Sequence, residues 1–194
     1  MKVITISREY GAGGHSIGKS VAKELGIEFY DKDIIKETAD ALGMSPDKIA
    51  RSEEHITKGD SFIRAINPIS YDYKDTIYNY EKDIIVRIAQ EEPCVILGRC
   101  AGEILQENTI DCLNIYLFAD AAHLAKRVGE ILETTDANII AKEMKRQAAS
   151  RNAYYTYHTG KHMGEAKNWH LTLDTGALGF DMCTKLICMA ARQS

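Results

Sequence analysis

The sequence predicts an α/β fold: a three-layer α/β/α arrangement around a five-stranded, mostly parallel sheet, with added helical segments. Three observations carry this. Short β-branched or apolar runs alternate with longer stretches of helical period, the order that builds a parallel sheet through helical crossovers. Cys94-Val95-Ile96-Leu97 is apolar throughout, as a strand buried on both faces must be. The first strand also runs directly into a glycine-rich stretch and then a helix, a setting that puts a ligand-binding turn at the carboxyl end of a strand.

Taken in order, Lys2-Val3-Ile4-Thr5-Ile6-Ser7 is a β-branched run and reads as the first strand. Ser20-Val21-Ala22-Lys23-Glu24-Leu25 reads as the helix behind the glycines, with Gly26 as its C-cap. Residues 27–30 form a short second strand. Asp31 is placed to cap a helix that runs to about Leu42, where Gly43 stops it. Ser45-Pro46-Asp47 has the composition of a helix start. Residues 55–75 lack a clean period and contain Gly59 and Asn67-Pro68, so they read as a loop or mobile lobe. From 76 to 91, Ile77, Ile84, Ile85 and Ile88 share one helical face, and Pro93 ends the element. Residues 94–97 and 113–118 are the next strands, and Asp120 caps a helix to about Leu132. Thr134 or Thr135 opens a long helix reaching the Arg151 region. Residues 169–173 alternate in polarity and read as the last strand, and residues 180–191 as a closing amphipathic helix. The whole chain, 1–194, is expected to be one domain, with a helical acceptor-binding lobe at 31–92 and a lid at about 140–168.

Composition narrows the partners. The 194 residues are 45% hydrophobic and 27% charged, with a formal charge of −4, the profile of a soluble globular protein. This balance supports neither nucleic-acid binding nor a basic membrane-surface patch. No apolar run is long enough to span a bilayer, and Met1 stands one residue before the first strand, so neither a membrane nor a targeting segment is expected. Cys94, Cys100, Cys112, Cys183 and Cys188 are odd in number and form no C-x-x-C pair. Buried thiols in a reducing cytoplasm are the simplest setting.

The chemistry begins at Gly13-Gly14-His15-Ser16-Ile17-Gly18-Lys19-Ser20, which matches the phosphate-binding pattern G-x-x-x-x-G-K-[ST] in full. Its glycines let backbone N–H groups turn around phosphate oxygens, and a helix N-terminus adds about half a positive charge. The expected cradle for ATP is Gly11 together with Gly13, Gly14, His15, Ser16, Ile17, Gly18, Lys19 and Ser20. In it, Lys19 is expected to reach the β- and γ-phosphates and Ser20 to ligate Mg²⁺. This motif implies a P-loop nucleotide-binding domain.

Further residues bear on what receives the phosphoryl group. Asp31 and Asp33 follow the second strand and face the same edge, where they are candidates for a base or sugar hydroxyl; helix capping also explains Asp31. Arg99 follows the buried strand in Leu97-Gly98-Arg99-Cys100, and an Arg there can clamp phosphate bidentately. Arg127, Lys142, Lys145, Arg146 and Arg151 form a basic series on two helices. Phosphoryl transfer needs charge neutralisation and in-line positioning, so Arg146 and Arg151 are the chosen lid residues; a solvated helix face is the bland alternative. Asp174 stands at the carboxyl end of the last strand, with a turn-capping role as the alternative. His158 and His162 lack a third ligand at convincing spacing, so zinc is not expected. The central strand ends Val95-Ile96-Leu97-Gly98 without the Asp that often supports Mg²⁺, leaving Glu9, Asp31 and Asp33 as substitutes.

In combination, Ile4-Thr5-Ile6-Ser7-Arg8-Glu9-Tyr10-Gly11-Ala12-Gly13-Gly14, Phe29-Tyr30-Asp31, Val95-Ile96-Leu97-Gly98-Arg99, Arg151-x-x-Tyr154-Tyr155 and Leu173-Asp174 resemble the cytidylate kinase-like family, over nearly the whole chain. The resemblance implies Mg²⁺- and ATP-dependent phosphorylation of a small acceptor, CMP or dCMP. It also implies that Arg99, Arg127, Arg151 and Asp174 hold the acceptor. In the well-studied cytidylate kinases an Asp follows the Gly-Arg; here it is Cys100. Two other readings stay open: a kinase for a hydroxyl of another small metabolite, and an ATP-binding sensor without transferase activity. For residues 71–80, rich in aromatics, an acceptor lobe and a homodimer interface are both open.

Overall fold

The structure, a computed structural model, describes residues 3–49 and 73–193. Most of the expected loop at 55–75, and so part of the acceptor lobe, lies outside the described residues.

Strands β1 (Val3–Arg8), β2 (Glu28–Tyr30), β3 (Cys94–Leu97), β4 (Cys112–Phe118) and β5 (Leu171–Asp174) form one parallel sheet in the order β2-β3-β1-β4-β5. The helices are α1 (Gly14–Leu25), α2 (Lys32–Leu42), α3 (Tyr73–Glu91), α4 (Ala101–Glu107), α5 (Ala121–Ile131), α6 (Ala137–Thr159), α7 (Thr175–Leu178) and α8 (Phe180–Gln193). Residues 46–49 make a further helical turn.

Alternation along β1 and β3 feeds two separate cores. Ile4, Ile6, Val95 and Leu97 pack with Ile17 and Val21 of α1 and Cys183 and Ile187 of α8. Val3, Cys94 and Ile96 pack on the other face with Ile84, Ile85 and Ile88 of α3 and Ile104 and Leu105 of α4. Full burial of each such aliphatic chain contributes about 1.5–3 kcal/mol. The chain leaves β1 toward β2 on one side and leaves β3 toward β4 on the other, so a switch point lies between β1 and β3, and ligands bind in the crevice at such a point.

Among the boundaries that differ from the sequence reading, three bear on the site. Helix α1 begins at Gly14, well before Ser20. Gly13 caps it in the left-handed conformation (φ 78°), and Gly14, Ile17, Gly18, Val21 and Ala22 make a buried stripe of helical period. Helix α6 starts at Ala137, because Asp136 accepts the Asn138 and Ile139 N–H groups. It continues to Thr159 because Tyr155 and Tyr157 are buried. Trp169 precedes β5 and stacks on Tyr116 (5.2 Å between centroids), so it anchors a small aromatic core with Tyr155.

Candidate active site

The carboxyl ends of β1, β2 and β3 meet at one edge of the sheet. Beyond β1, residues 9–13 turn back to start α1. Gly11 (φ 94°) and Gly13 (φ 78°) both occupy the left-handed region, which L residues enter at a cost. At Gly13 a Cβ would also lie 2.1 Å from the Phe180 ring. The first N–H groups of α1 have no partner within the helix and face the turn with the helix dipole behind them. The resulting cleft, about 270 Å³, is lined by Arg8, Glu9, Tyr10, Gly11, Gly13, Gly14, His15, Ser16, Asp31, Leu97, Arg127, Ile131 and Arg151.

The residues of the predicted phosphate cradle divide between this cleft and the body of α1. Gly11, Gly13, Gly14, His15 and Ser16 line the cleft. Ile17 and Gly18 are buried beneath it against the sheet, with Gly18 against Phe29. Lys19 and Ser20 lie in the second turn of α1, exposed, and line none of the clefts described here. The physical reason is the early helix start. The stretch Gly14–Ser20 is helical throughout, so a pattern that ordinarily spans a loop is here wound into α1.

A second cleft of about 200 Å³ adjoins the first and shares Arg8, Asp31, Leu97 and Arg151 with it. Arg99, Cys100, Gln147, Ser150, Tyr154, Tyr155 and Met163 complete its lining. Gly98, Arg99 and Cys100 all have left-handed φ values (81°, 60° and 52°). Two consecutive non-glycine residues there store roughly 1–2 kcal/mol each, and the twist turns the Arg99 side chain into the protein. Its Nη1 donates to Glu81 Oε1 at 2.8 Å, and Tyr154 Oη donates to Glu81 Oε2 at 2.9 Å. Glu81 is fully buried, and that burial raises its pKa. Arg99 is therefore braced by α3 and α6 at the cleft wall.

Three guanidiniums crowd this boundary. Burial lowers the pKa of Arg8, Arg99 and Arg151, and repulsion from Arg151 and Arg99 lowers Arg8 further, to about 9. Asp31 is the carboxylate that opposes all three shifts. It makes no capping bond to α2, contrary to expectation. Its Oδ2 instead pairs with His15 Nδ1 at 2.8 Å. Asp33 is exposed in the first turn of α2, away from the cleft lining. Against these three cations stand Asp31 and Glu81, the latter paired with Arg99, and the positive charge left over suits a phosphate group.

The other candidates separate. Arg151 Nη1 donates to the Arg8 carbonyl at 3.0 Å, which fixes Arg151 at the junction of the clefts. Arg127 reaches the loop cleft, but it is bonded to Glu130 (2.7 Å) with its Cζ 5.9 Å from the Phe180 ring. Arg146 is bonded to Glu143 on its own helix through Nε (2.8 Å) and Nη2 (2.7 Å) and lines neither cleft. Asp174 accepts the Gly176 and Ala177 N–H groups, so the capping role accounts for it. Glu9 accepts from Ala119 N–H at 3.3 Å, and burial raises its pKa. Cys100 is buried and its thiol pushed well up, chiefly by burial. Sequence reasoning passed over Arg8 and Glu81. Arg8 carries the signal that marked Arg99, an Arg emerging from a buried strand, and Glu81 falls by helical period on the apolar face of Ile77, Ile84, Ile85 and Ile88, where a carboxylate needs a partner.

Among the described residues no group of three His, Cys, Asp or Glu side chains is placed to hold a metal ion, and no helix is long and apolar enough to cross a membrane. The model of the cytidylate kinase-like family matches residues 3–177, so the chain belongs to that family. No functionally curated protein matches it in sequence. Among solved structures, an uncharacterized protein from Eubacterium ventriosum is 22% identical with a TM-score of 0.76, each chain covered in full. A shikimate kinase from Bacteroides thetaiotaomicron is 13% identical with a TM-score of 0.55, covering 98% of both chains. A shikimate kinase from Acinetobacter baumannii, solved with shikimate, is 14% identical with a TM-score of 0.50, covering 100% of this chain and 94% of its own. At these identities the likeness is one of fold, that of P-loop kinases.

Proposed function

We propose that this member of the cytidylate kinase-like family transfers the γ-phosphoryl group of Mg·ATP to a nucleoside monophosphate, CMP or dCMP. The observation that carries the reading is the pair of adjoining clefts joined at Arg8, Asp31 and Arg151. ATP phosphates fit the first, against the glycine turn and the start of α1. The acceptor phosphate fits the second, against Arg99 and Arg151, in line with the γ-phosphate. An acceptor phosphate is already an anion at neutral pH, so no general base is needed. Catalysis then consists of positioning and charge neutralisation. The three guanidiniums hold both phosphates, and α6 excludes water by covering the acceptor cleft with Gln147, Ser150 and Tyr154.

Mg²⁺ prefers hard oxygen ligands and keeps several waters while bridging substrate phosphates. Ser16 and Asp31 offer a hydroxyl and a carboxylate on the loop cleft, so they fit the ion where Ser20 does not. Bound with ATP, Mg²⁺ would neutralise charge on the β- and γ-oxygens.

Asp31 borders both clefts, and this favours one second reading. A hydroxyl acceptor would find a carboxylate beside it able to take its proton. ADP release from Mg·ATP, measured with CMP, dCMP, UMP, AMP and GMP in turn, separates the two. Turnover confined to CMP or dCMP is the expected result. No turnover with any monophosphate, despite ATP binding, would refute the nucleotide acceptor.

A further inference from the structure

We propose that Arg8, and not Lys19, is the cation that contacts the terminal phosphates of the bound nucleotide. The inference rests on reading the loop cleft as the ATP site. It concerns a residue outside the phosphate-loop pattern, and it reassigns the role that pattern gives to its lysine.

The path of the Arg8 side chain is the first argument. A Cβ built on Gly14 would lie 2.8 Å from Arg8 Cγ and 3.1 Å from Cδ, and one on Gly98 would lie 2.4 Å from Arg8 Nη1. The side chain therefore crosses from the first residue of α1 to the end of β3. Arg8 lines both the loop cleft and the acceptor cleft. A phosphoryl group moving between the clefts passes this guanidinium.

The second argument is the glycine itself. Gly14 has no left-handed φ, so its backbone conformation does not call for glycine. What calls for it is room: any side chain there would collide with the stem of Arg8. The loop is shaped around an arginine arm, which enters from the strand that precedes the pattern.

The third argument is the placement of Lys19. It lies five residues into α1, about 7.5 Å along the axis from Gly14 at 1.5 Å per residue, and it is exposed. The Arg8 backbone is fixed by its carbonyl, which accepts from Arg151, and Asp31 opposes the charge of its side chain. A planar guanidinium can engage two oxygens of one phosphate, or bridge two phosphates, with fixed geometry.

Equilibrium affinities of Mg·ATP and of inorganic tripolyphosphate for wild type, Arg8→Ala, Arg8→Lys, Gly14→Ala and Lys19→Ala test this, with thermal midpoints recorded for each. Loss of a charge-assisted contact corresponds to about a 10- to 100-fold loss of affinity. Arg8→Ala is expected to show that loss for both ligands, and Arg8→Lys to recover part of it. Gly14→Ala, which keeps every charge but displaces the arm, is expected to weaken both ligands as well. Lys19→Ala is expected to stay within about 3-fold of wild type, as exposed charges are worth little. If the loss follows Lys19→Ala while Arg8→Ala binds as wild type does, the inference is overturned. Wild-type affinity in both variants overturns it too. A wild type that binds neither ligand overturns the ATP reading itself, which is a different outcome. Should Arg8→Ala not fold, Gly14→Ala and Arg8→Lys carry the same comparison.

Discussion

Gly13 meets two independent constraints. Its φ of 78° is left-handed, and the Phe180 ring leaves no space for a Cβ. Gly13→Ala is therefore expected to lose at least about 2 kcal/mol of stability, combining backbone strain with a displaced aromatic ring; urea denaturation measures it, and a loss under about 0.5 kcal/mol would contradict the packing. Cys100 makes the opposite kind of prediction. Raising a thiol pKa lowers the thiolate fraction at any given pH, and thiolate is the reactive form. All five cysteines are buried, and burial pushes the Cys100 thiol well up. Iodoacetamide at pH 8 should label the native protein no faster than it unfolds; rapid labelling of Cys100 would show an open cleft with a reactive thiol. At this scale the sequence was partly legible. Arg99 stood out because a cation after a buried strand needs a reason, and Arg151 because phosphoryl transfer needs cations on a closing lid. The placement of Lys19 within α1 was not foreseen, because a loop pattern overlapped a helical stripe, Gly14-Ile17-Gly18-Val21, that was equally visible.

Two helices are tied to the cleft wall through one carboxylate. Glu81 on α3 accepts from Arg99 and from Tyr154 on α6, and the rings of Tyr78 on α3 and His158 on α6 stack at 3.8 Å. Removing one partner of a buried pair leaves the other uncompensated, at roughly 3–5 kcal/mol. Glu81→Ala is expected to lose about that much by urea denaturation and to loosen α6, read as faster amide exchange at residues 150–158. Unchanged exchange there would mean that α6 is held by its aromatic core alone. Element types were legible from period, and the Asp120 cap was as expected. The reach of α6 was not, because a tyrosine run serves equally to stack on a base or to pack a helix until the burial of Tyr155 against Trp169 and Tyr116 is known.

Over the whole molecule, alternation of strand and helix was enough to predict a parallel three-layer fold, because apolar strands without alternation demand cover on both faces. The two adjoining clefts were not readable in that way. They arise where residues 8, 31, 99 and 151 converge, and sequence spacing carries no distance between them. One consequence belongs to this scale: ligands that bind the folded state alone raise its stability by mass action. ATP and CMP together are expected to raise the thermal midpoint more than either alone, since each orders a cleft that shares Arg8, Asp31 and Arg151 with the other. An equal midpoint with one ligand or both would argue against adjoining sites.

The central claim is direct transfer between those clefts. Its most direct test follows the label from γ-labelled ATP in the presence of Mg²⁺ and CMP. The account predicts label in CDP, with inorganic phosphate a minor product. Label found only in inorganic phosphate, or retained in ATP while CMP is bound, would contradict it.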